Sequence, residues 1–326
     1  MTSLRPDWLI IERCDAPLIV SIPHAGLDLL GFEPAFVDPW LARKDADWRL
    51  DALYDFATPF GATLLRTQLS RSIIDVNRDP SGASLYPGQA TTELCPTTTF
   101  DGEPLYLAGR APGAAEVDER RRIYFDPYHA ALTGEITRLR ARHKRVALFD
   151  AHSIRSRIPR LFDGELPVFN LGTNSGASCD PGLREIVGTV LAASGRTSVV
   201  DGRFKGGWIT RAYGRPGEAL RLCSSNSPAE PTWRSPRALR PRTGQRRSMK
   251  SAHARRGRQS SAFWRRCLNR CGHERDSGLF RSLLSFPADC RSDRESRLAH
   301  PAPGNWWIPG RPFARSSGMT RERLSP

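Results

Sequence analysis

Residues Leu18-Ile-Val-Ser-Ile22 form a short apolar, β-branched run stopped by Pro23, which predicts a buried strand leading into a loop that carries His24. From Asp47 to Phe60 the apolar positions Leu50, Leu53, Tyr54 and Ala57 recur at helical spacing, and Gly61 can close that helix. A strand over Ala62 to Arg66 follows at once. Ser72-Ile-Ile-Asp-Val76 reads as another strand, running into Asn77, Arg78, Asp79 and Pro80. The Gly-, Pro- and Thr-rich text from Ser81 to Pro112 predicts a long loop across one face. Asp126 with Pro127 is a helix-start signal, and Leu132, Ile136 and Leu139 continue the stripe towards a basic last turn. Val146-Ala-Leu-Phe149 is a compact strand that delivers Asp150, Ala151, His152 and Ser153 at its end. Asp180 and Pro181 open a further helix through Leu191, before a strand over Thr197 to Val200.

Strands alternating with helices imply an α/β fold: a single three-layer domain whose mixed, mostly parallel sheet is covered on both faces. In such sheets the chemistry gathers at the carboxyl ends of the strands. After Glu218 the periodicity stops. Stretches such as Arg234-Ser-Pro-Arg-Ala-Leu-Arg-Pro-Arg242 bury too little apolar surface to offset an ordering cost of roughly 1–2 kcal/mol per residue. The expected organisation is therefore a domain over residues 1–218 and a disordered Arg/Ser/Pro-rich tail over 219–326.

Charge sharpens this division. Residues 219–326 hold 23 Lys+Arg against 7 Asp+Glu, which leaves 26 against 27 in residues 1–218 of the chain's 49 and 34. The net +15 thus belongs to the second part, where 22 of the cations are Arg and one is Lys250. A nucleic-acid-binding arm is one reading of so basic a segment, but sparse aromatics and near-absent Lys speak for nonspecific contact at most. The seven cysteines are scattered and odd in number, which predicts free thiols and a reducing, cytoplasmic setting. No apolar run approaches the roughly 20 residues that cross a bilayer, so no membrane partner is expected. A monomer or small homo-oligomer fits the rest.

His24, Asp47 and His152 each follow or flank a strand end, and two imidazoles with one carboxylate suit a hydrolytic Zn²⁺ site, or one for another divalent metal. The plainer alternative is a set of structural histidines bonded to backbone. Asp150, two residues before His152, can orient a ligating imidazole or accept backbone N–H groups. Arg71, Asn77, Arg78, Arg155 and Arg211 make a cationic set suited to a small dianionic substrate, or else a group of solvated surface arginines.

The strings Ser21-Ile-Pro-His-Ala-Gly26, Asp45-Ala-Asp-Trp48, Ser70-Arg-Ser-Ile-Ile-Asp-Val-Asn-Arg78, Asp150-Ala-His-Ser-Ile-Arg155, Pro159-Arg-Leu-Phe-Asp-Gly164, Asn170-Leu-Gly-Thr-Asn174 and Gly202-Arg-Phe-Lys-Gly-Gly-Trp-Ile-Thr-Arg211 occur in this order. The series resembles the N-formylglutamate deformylase family, related in fold to zinc metallocarboxypeptidases. The resemblance implies hydrolysis of N-formyl-L-glutamate to formate and L-glutamate in histidine degradation. By it, His24 and His152 are metal ligands with Asp47 as the carboxylate ligand. Asn77 and Arg78 grip the α-carboxylate, Arg71 polarises the scissile carbonyl, and Arg155 or Arg211 receives the side chain. Hydrolysis of another N-acyl amino acid or small peptide keeps the same chemistry.

Family members continue with a strand of the form Leu-Gln-Leu-Glu-Leu-Ala, whose Glu resembles the general base of carboxypeptidases. This chain has Leu222-Cys-Ser-Ser-Asn-Ser-Pro-Ala-Glu-Pro-Thr-Trp233 instead. Back-translated with permitted codons and read in another frame, that segment gives Leu-Gln-Leu-Glu-Leu-Ala-Arg-Arg-Thr-Tyr-Met. The expectation is a frame change, loss of the catalytic glutamate and of an inner strand, and a poorly folded, largely inactive chain.

Overall fold

A computed structural model describes residues 7–193, 195–215 and 220–229. Within them the sheet has seven strands: β1 Leu9–Glu12, β2 Leu18–Ile22, β3 Thr63–Thr67, β4 Val146–Arg155, β5 Phe169–Gly172, β6 Ser198–Val200 and β7 Leu220–Ala229. Their order is β1-β3-β2-β4-β7-β5-β6. The pairings β2·β3, β2·β4, β4·β7 and β5·β6 are parallel, whereas β1·β3 and β5·β7 are antiparallel. The sheet is mixed and mostly parallel, as the alternation of elements implied.

Side chains on a strand alternate between faces, and the two main cores divide accordingly. Ile19, Leu65, Val146 and Leu148 point to one core, which is closed by Tyr128, Leu132, Ile136 and Leu139. Those four lie on α4, Asp126–Arg140. Leu18, Val20, Ile22, Leu64, Phe149 and Ala151 point to the other, which is covered by Leu50 of α2, Leu50–Leu53, and by Val187 and Leu191 of α5, Pro181–Ala192. Full burial of one such Leu or Ile contributes about 1.5–3 kcal/mol, so both faces hold the sheet in place.

Several sequence expectations change in detail. The single helix over Asp47–Phe60 is two short pieces, α2 and a 3₁₀ turn at Thr58–Phe60 closed by Gly61 at φ 81°. A preceding turn, α1, covers Leu41–Lys44. α4 begins at Asp126 as expected, but it continues from α3, Ala114–Arg120, through a π-turn at Arg121–Phe125 rather than from a loop. Pro127 offers no N–H to a regular ladder, and the wide turn lies just before it. The expected strand at Ser72–Val76 is a buried run of turns. Ile73, Ile74 and Val76 all enter the core, while Asp75 turns its carboxylate inward. An apolar run buried all round does not announce its backbone.

The Asp180 cap is as expected, its side chain accepting from Leu183 N at 2.8 Å. No strand was expected past Glu218, yet β7 fills the inner place, paired with β4 over ten residues from Val146↔Leu220 to Arg155↔Ala229. An inner slot flanked by backbone donors and acceptors can be met by backbone alone. The Arg-rich segments beyond, with Trp264, Trp306 and Trp307, lie outside the described residues.

Candidate metal centre and its cavity

Parallel pairing of β2 with β4 sets Ser21 beside Asp150, so the chain leaving β2 at Pro23 arrives next to the carboxyl half of β4. His24 follows that proline, and its carbonyl accepts from Asp47 N at 2.9 Å. This bond draws the loop before α2 over the strand ends. Gly26 allows the close approach, since a Cβ there would lie 2.2 Å from the carbonyl carbon of Gln68. The result is a buried cluster in which one ligand atom each from His24, Asp47 and His152 lies within 4.8 Å of the others. The two imidazole centroids are 4.9 Å apart.

Each ring is held from behind by its own carboxylate. His24 Nε2 is 2.7 Å from Asp75 Oδ1, and His152 Nε2 is 2.9 Å from Asp150 Oδ2. Their Nδ1 atoms face Asp47 Oδ2, at 3.7 Å and 3.1 Å. His24 Nδ1 is buried with no hydrogen-bond partner. A carboxylate behind each imidazole fixes the tautomer and leaves the other nitrogen's lone pair for a cation.

Electrostatics separate the two rings. Burial, reinforced by the Arg71 charge, lowers the His24 pKa despite the pull of Asp75 and Asp47. Burial also opposes charge on His152, but Asp150 and Asp47 outweigh it and raise its pKa to about 10. Two carboxylates around one imidazole thus favour positive charge at this point, which a proton and a divalent ion compete to supply. Burial pushes the Asp75 carboxyl up, but Arg71, His24 and Arg78 overcome this and hold it well below the usual carboxylate range.

The predicted cationic set is partly assembled here. Arg71, Asn77 and Arg78 line the same cavity as His24, Asp47 and His152. Arg71 Nη2 donates to Asp75 Oδ2 at 2.5 Å, with its guanidinium 4.8 Å from the centre of the Phe100 ring. Arg78 Nε and Nη2 donate to Thr92. Asn77 Nδ2 lies 3.0 Å from Asp150 Oδ2 and 2.9 Å from His152 Nε2, while its Oδ1 accepts from Ile209 N at 2.7 Å. That N–H belongs to α6, Trp208–Tyr213, so one short helix clamps the amide. Arg155 lies elsewhere, bonded to Asp101 and Asp45. Arg211 reaches the cavity wall only through Tyr86, its guanidinium 5.1 Å from that ring's centre.

Sequence reasoning assigned no role to Asp75, Tyr86, Phe100 or Arg203. Asp75 sits inside an apolar run, a place where an ionised group must be paired, and that was the available signal. Tyr86 and Phe100 lie on the long loop, expected only to cover one face, which here lines the cavity, and neither carries a spacing that marks it.

Fold and site together define a three-layer α/β protein with a buried His–Asp–His cluster able to hold a divalent cation. The sequence model of N-formylglutamate amidohydrolase matches residues 16–223. The chain belongs to that family. It is 47% identical over 212 residues to an N-formylglutamate deformylase of Pseudomonas aeruginosa, covering 64% of this chain and 79% of the relative. A Pseudomonas putida N-formylglutamate deformylase is 48% identical over 206 residues, covering 63% and 77%. The crystal structure of an N-formylglutamate amidohydrolase from Ralstonia eutropha JMP134 superposes with a TM-score of 0.62 at 25% identity, covering 78% of this chain and 95% of that one. A gene product of Agrobacterium tumefaciens shares the fold at TM-score 0.56 and 14% identity, covering 81% and 93%.

Proposed function

We propose that this site is built for zinc-dependent hydrolysis of N-formyl-L-glutamate to formate and L-glutamate, a cytoplasmic step of histidine breakdown. The observation that carries the metal part is His24 Nδ1, buried without a partner and facing Asp47 beside the second imidazole. His24, Asp47 and His152 would hold the ion, and two nitrogens with one oxygen are a zinc donor set. When bound, a divalent cation polarises a carbonyl oxygen and lowers the pKa of water.

The remaining steps fall to the chain's own groups. Asp75 and Asp150 keep both rings aimed at the shared point. Arg71 and Arg78, lining the cavity and sharing Asp75, supply the cationic wall for an α-carboxylate and a developing oxyanion. Asn77, clamped by Ile209 N and bonded to Asp150, steadies the same arrangement. Proton transfer is the gap. Asp47 is the one carboxylate on the described lining, and it is claimed by the metal site. The ten residues of β7 contain no acidic side chain, although Asn226 stands in register with His152. Loss of a general base costs about 10²–10⁴-fold in rate.

We therefore read the text from about Leu222 onward as out of frame, and this chain as binding substrate with little turnover. Other N-acyl amino acids remain competing substrates, and nonspecific nucleic-acid contact by the basic tail is a separate activity. The test is metal analysis with formate release from a panel of N-acyl amino acids, using the chain as it stands and with its frame restored. Zinc at one equivalent and formate release fastest from N-formyl-L-glutamate in the restored chain are expected. A His152→Ala variant that keeps its zinc and full activity would overturn the assignment.

A further inference from the structure

Cations around the cavity fall into two groups by what they already hold. Arg71 and Arg78 share Asp75, and Arg155 bridges Asp45 and Asp101. Arg203 and Arg211 have no carboxylate partner among the described residues. Arg203 uses Nε on Leu161 O at 2.8 Å and Nη2 on Ala90 O at 3.2 Å, both neutral acceptors. Arg211 Nε is buried and has no hydrogen-bond partner.

The same ring gathers both. The guanidinium carbons of Arg203 and Arg211 lie 5.5 Å and 5.1 Å from the centre of Tyr86. Tyr86 is fixed in turn, its hydroxyl donating to Gly206 O at 2.6 Å and accepting from Lys205 N at 3.1 Å. Tyr86 and Arg203 line the cavity that contains His24, Asp47 and His152. Two like charges on one ring, partly withdrawn from water and without an anion, are costly unless an anion joins them. Guanidinium forks match a carboxylate in particular.

We infer that Arg203 and Arg211, gathered on Tyr86, form the subsite that takes the side-chain carboxylate of a dicarboxylic N-acyl amino acid. This deepens the proposed function and rests on it. Arg155 is excluded from the role because its guanidinium already spans two carboxylates. The subsite sets specificity by charge and leaves the metal cluster untouched.

The test is calorimetric binding of N-formyl-L-glutamate and of its uncharged isostere N-formyl-L-glutamine to the full chain and to Arg203→Gln, Arg211→Gln and the double variant. In the unaltered chain the glutamate ligand should bind more tightly. Each single variant should weaken it roughly 10–100-fold, as expected for lost hydrogen bonds to a charged group, with the glutamine ligand unchanged. The double variant should bind both ligands equally, with its circular dichroism unaltered. A glutamate preference that survives in the double variant overturns the inference while leaving the hydrolase reading intact, as does equal weakening of both ligands. Failure of the unaltered chain to bind either one removes the proposed function and this subsite with it.

Discussion

His24 Nε2 lies 2.7 Å from Asp75 Oδ1, and that contact turns the opposite nitrogen of the ring towards Asp47. Asp75 also accepts from Arg71 Nη2 and Asn77 N, so one buried carboxylate fixes an imidazole and neutralises a cation. Asp150 fixes the His152 ring in the same way, with Ser21 Oγ and Asn77 Nδ2 as its other partners.

These two aspartates should respond differently to loss of charge. Asp150→Asn should weaken zinc binding about 10–100-fold and cost less stability than the Asp75 change, because the His152 ring can shed its proton whereas an arginine cannot. Asp75→Asn should lose metal affinity and also about 3–5 kcal/mol of stability, because buried Arg71 is left without its counter-charge. Zinc titration beside urea unfolding distinguishes the pair; equal stability in both variants would remove the special place of Asp75.

On the proposed out-of-frame reading, a frame-restored chain should carry a glutamate in the strand beside β4 and release formate about 10²–10⁴-fold faster than the present chain. Single-turnover assays on both zinc-loaded proteins make the comparison. Equal rates would show that the catalytic proton is carried by some other group.

Gly207 packs against the Asn77 amide, where an added Cβ would lie 2.5 Å from Nδ2. Gly207→Ala should therefore displace Asn77 from Asp150 and Ile209 N, costing about 1–3 kcal/mol by overpacking. Thermal melting and zinc affinity should both fall. A variant that melts and binds like the parent would show the amide to be free to move.

His129 gives a pH dependence away from the metal. Its ring nitrogens face Tyr213 Oη and Val76 O, each at 2.9 Å, and burial lowers its pKa to about 4. An unfolded histidine titrates near 6.5, so the unfolded chain takes up the proton first. The stability contributed by the neutral ring is complete above about pH 6.5 and is lost as pH falls towards about 4. Urea midpoints should drop over that window, and His129→Gln should flatten the curve. Parallel curves would contradict it.

Much of this is legible in the sequence. The place of His24 just past β2 follows from the apolar run before it, and the parallel pairing follows from the alternation of elements; His152 lies not at a strand end but inside β4, whose backbone ladder runs on past the apolar Val146–Phe149 to Arg155. Asp75 was hidden because an apolar run suggested a strand, whereas the segment is turns whose apolar side chains all find core. Arg203 was hidden for another reason: its importance lies in what it fails to pair with, a property of three dimensions that spacing does not record. β7 is not legible in the sequence because backbone pairing, rather than side-chain pattern, places it.

On the proposed reading, the ten-residue match of β7 to β4 keeps the architecture of a chain that has lost its proton carrier. Such a protein would act as a receptor for its own substrate. Soaked with an intact N-formyl amino acid, it should hold the uncleaved amide long enough for the ground-state complex to be seen directly, which a fully active relative would consume.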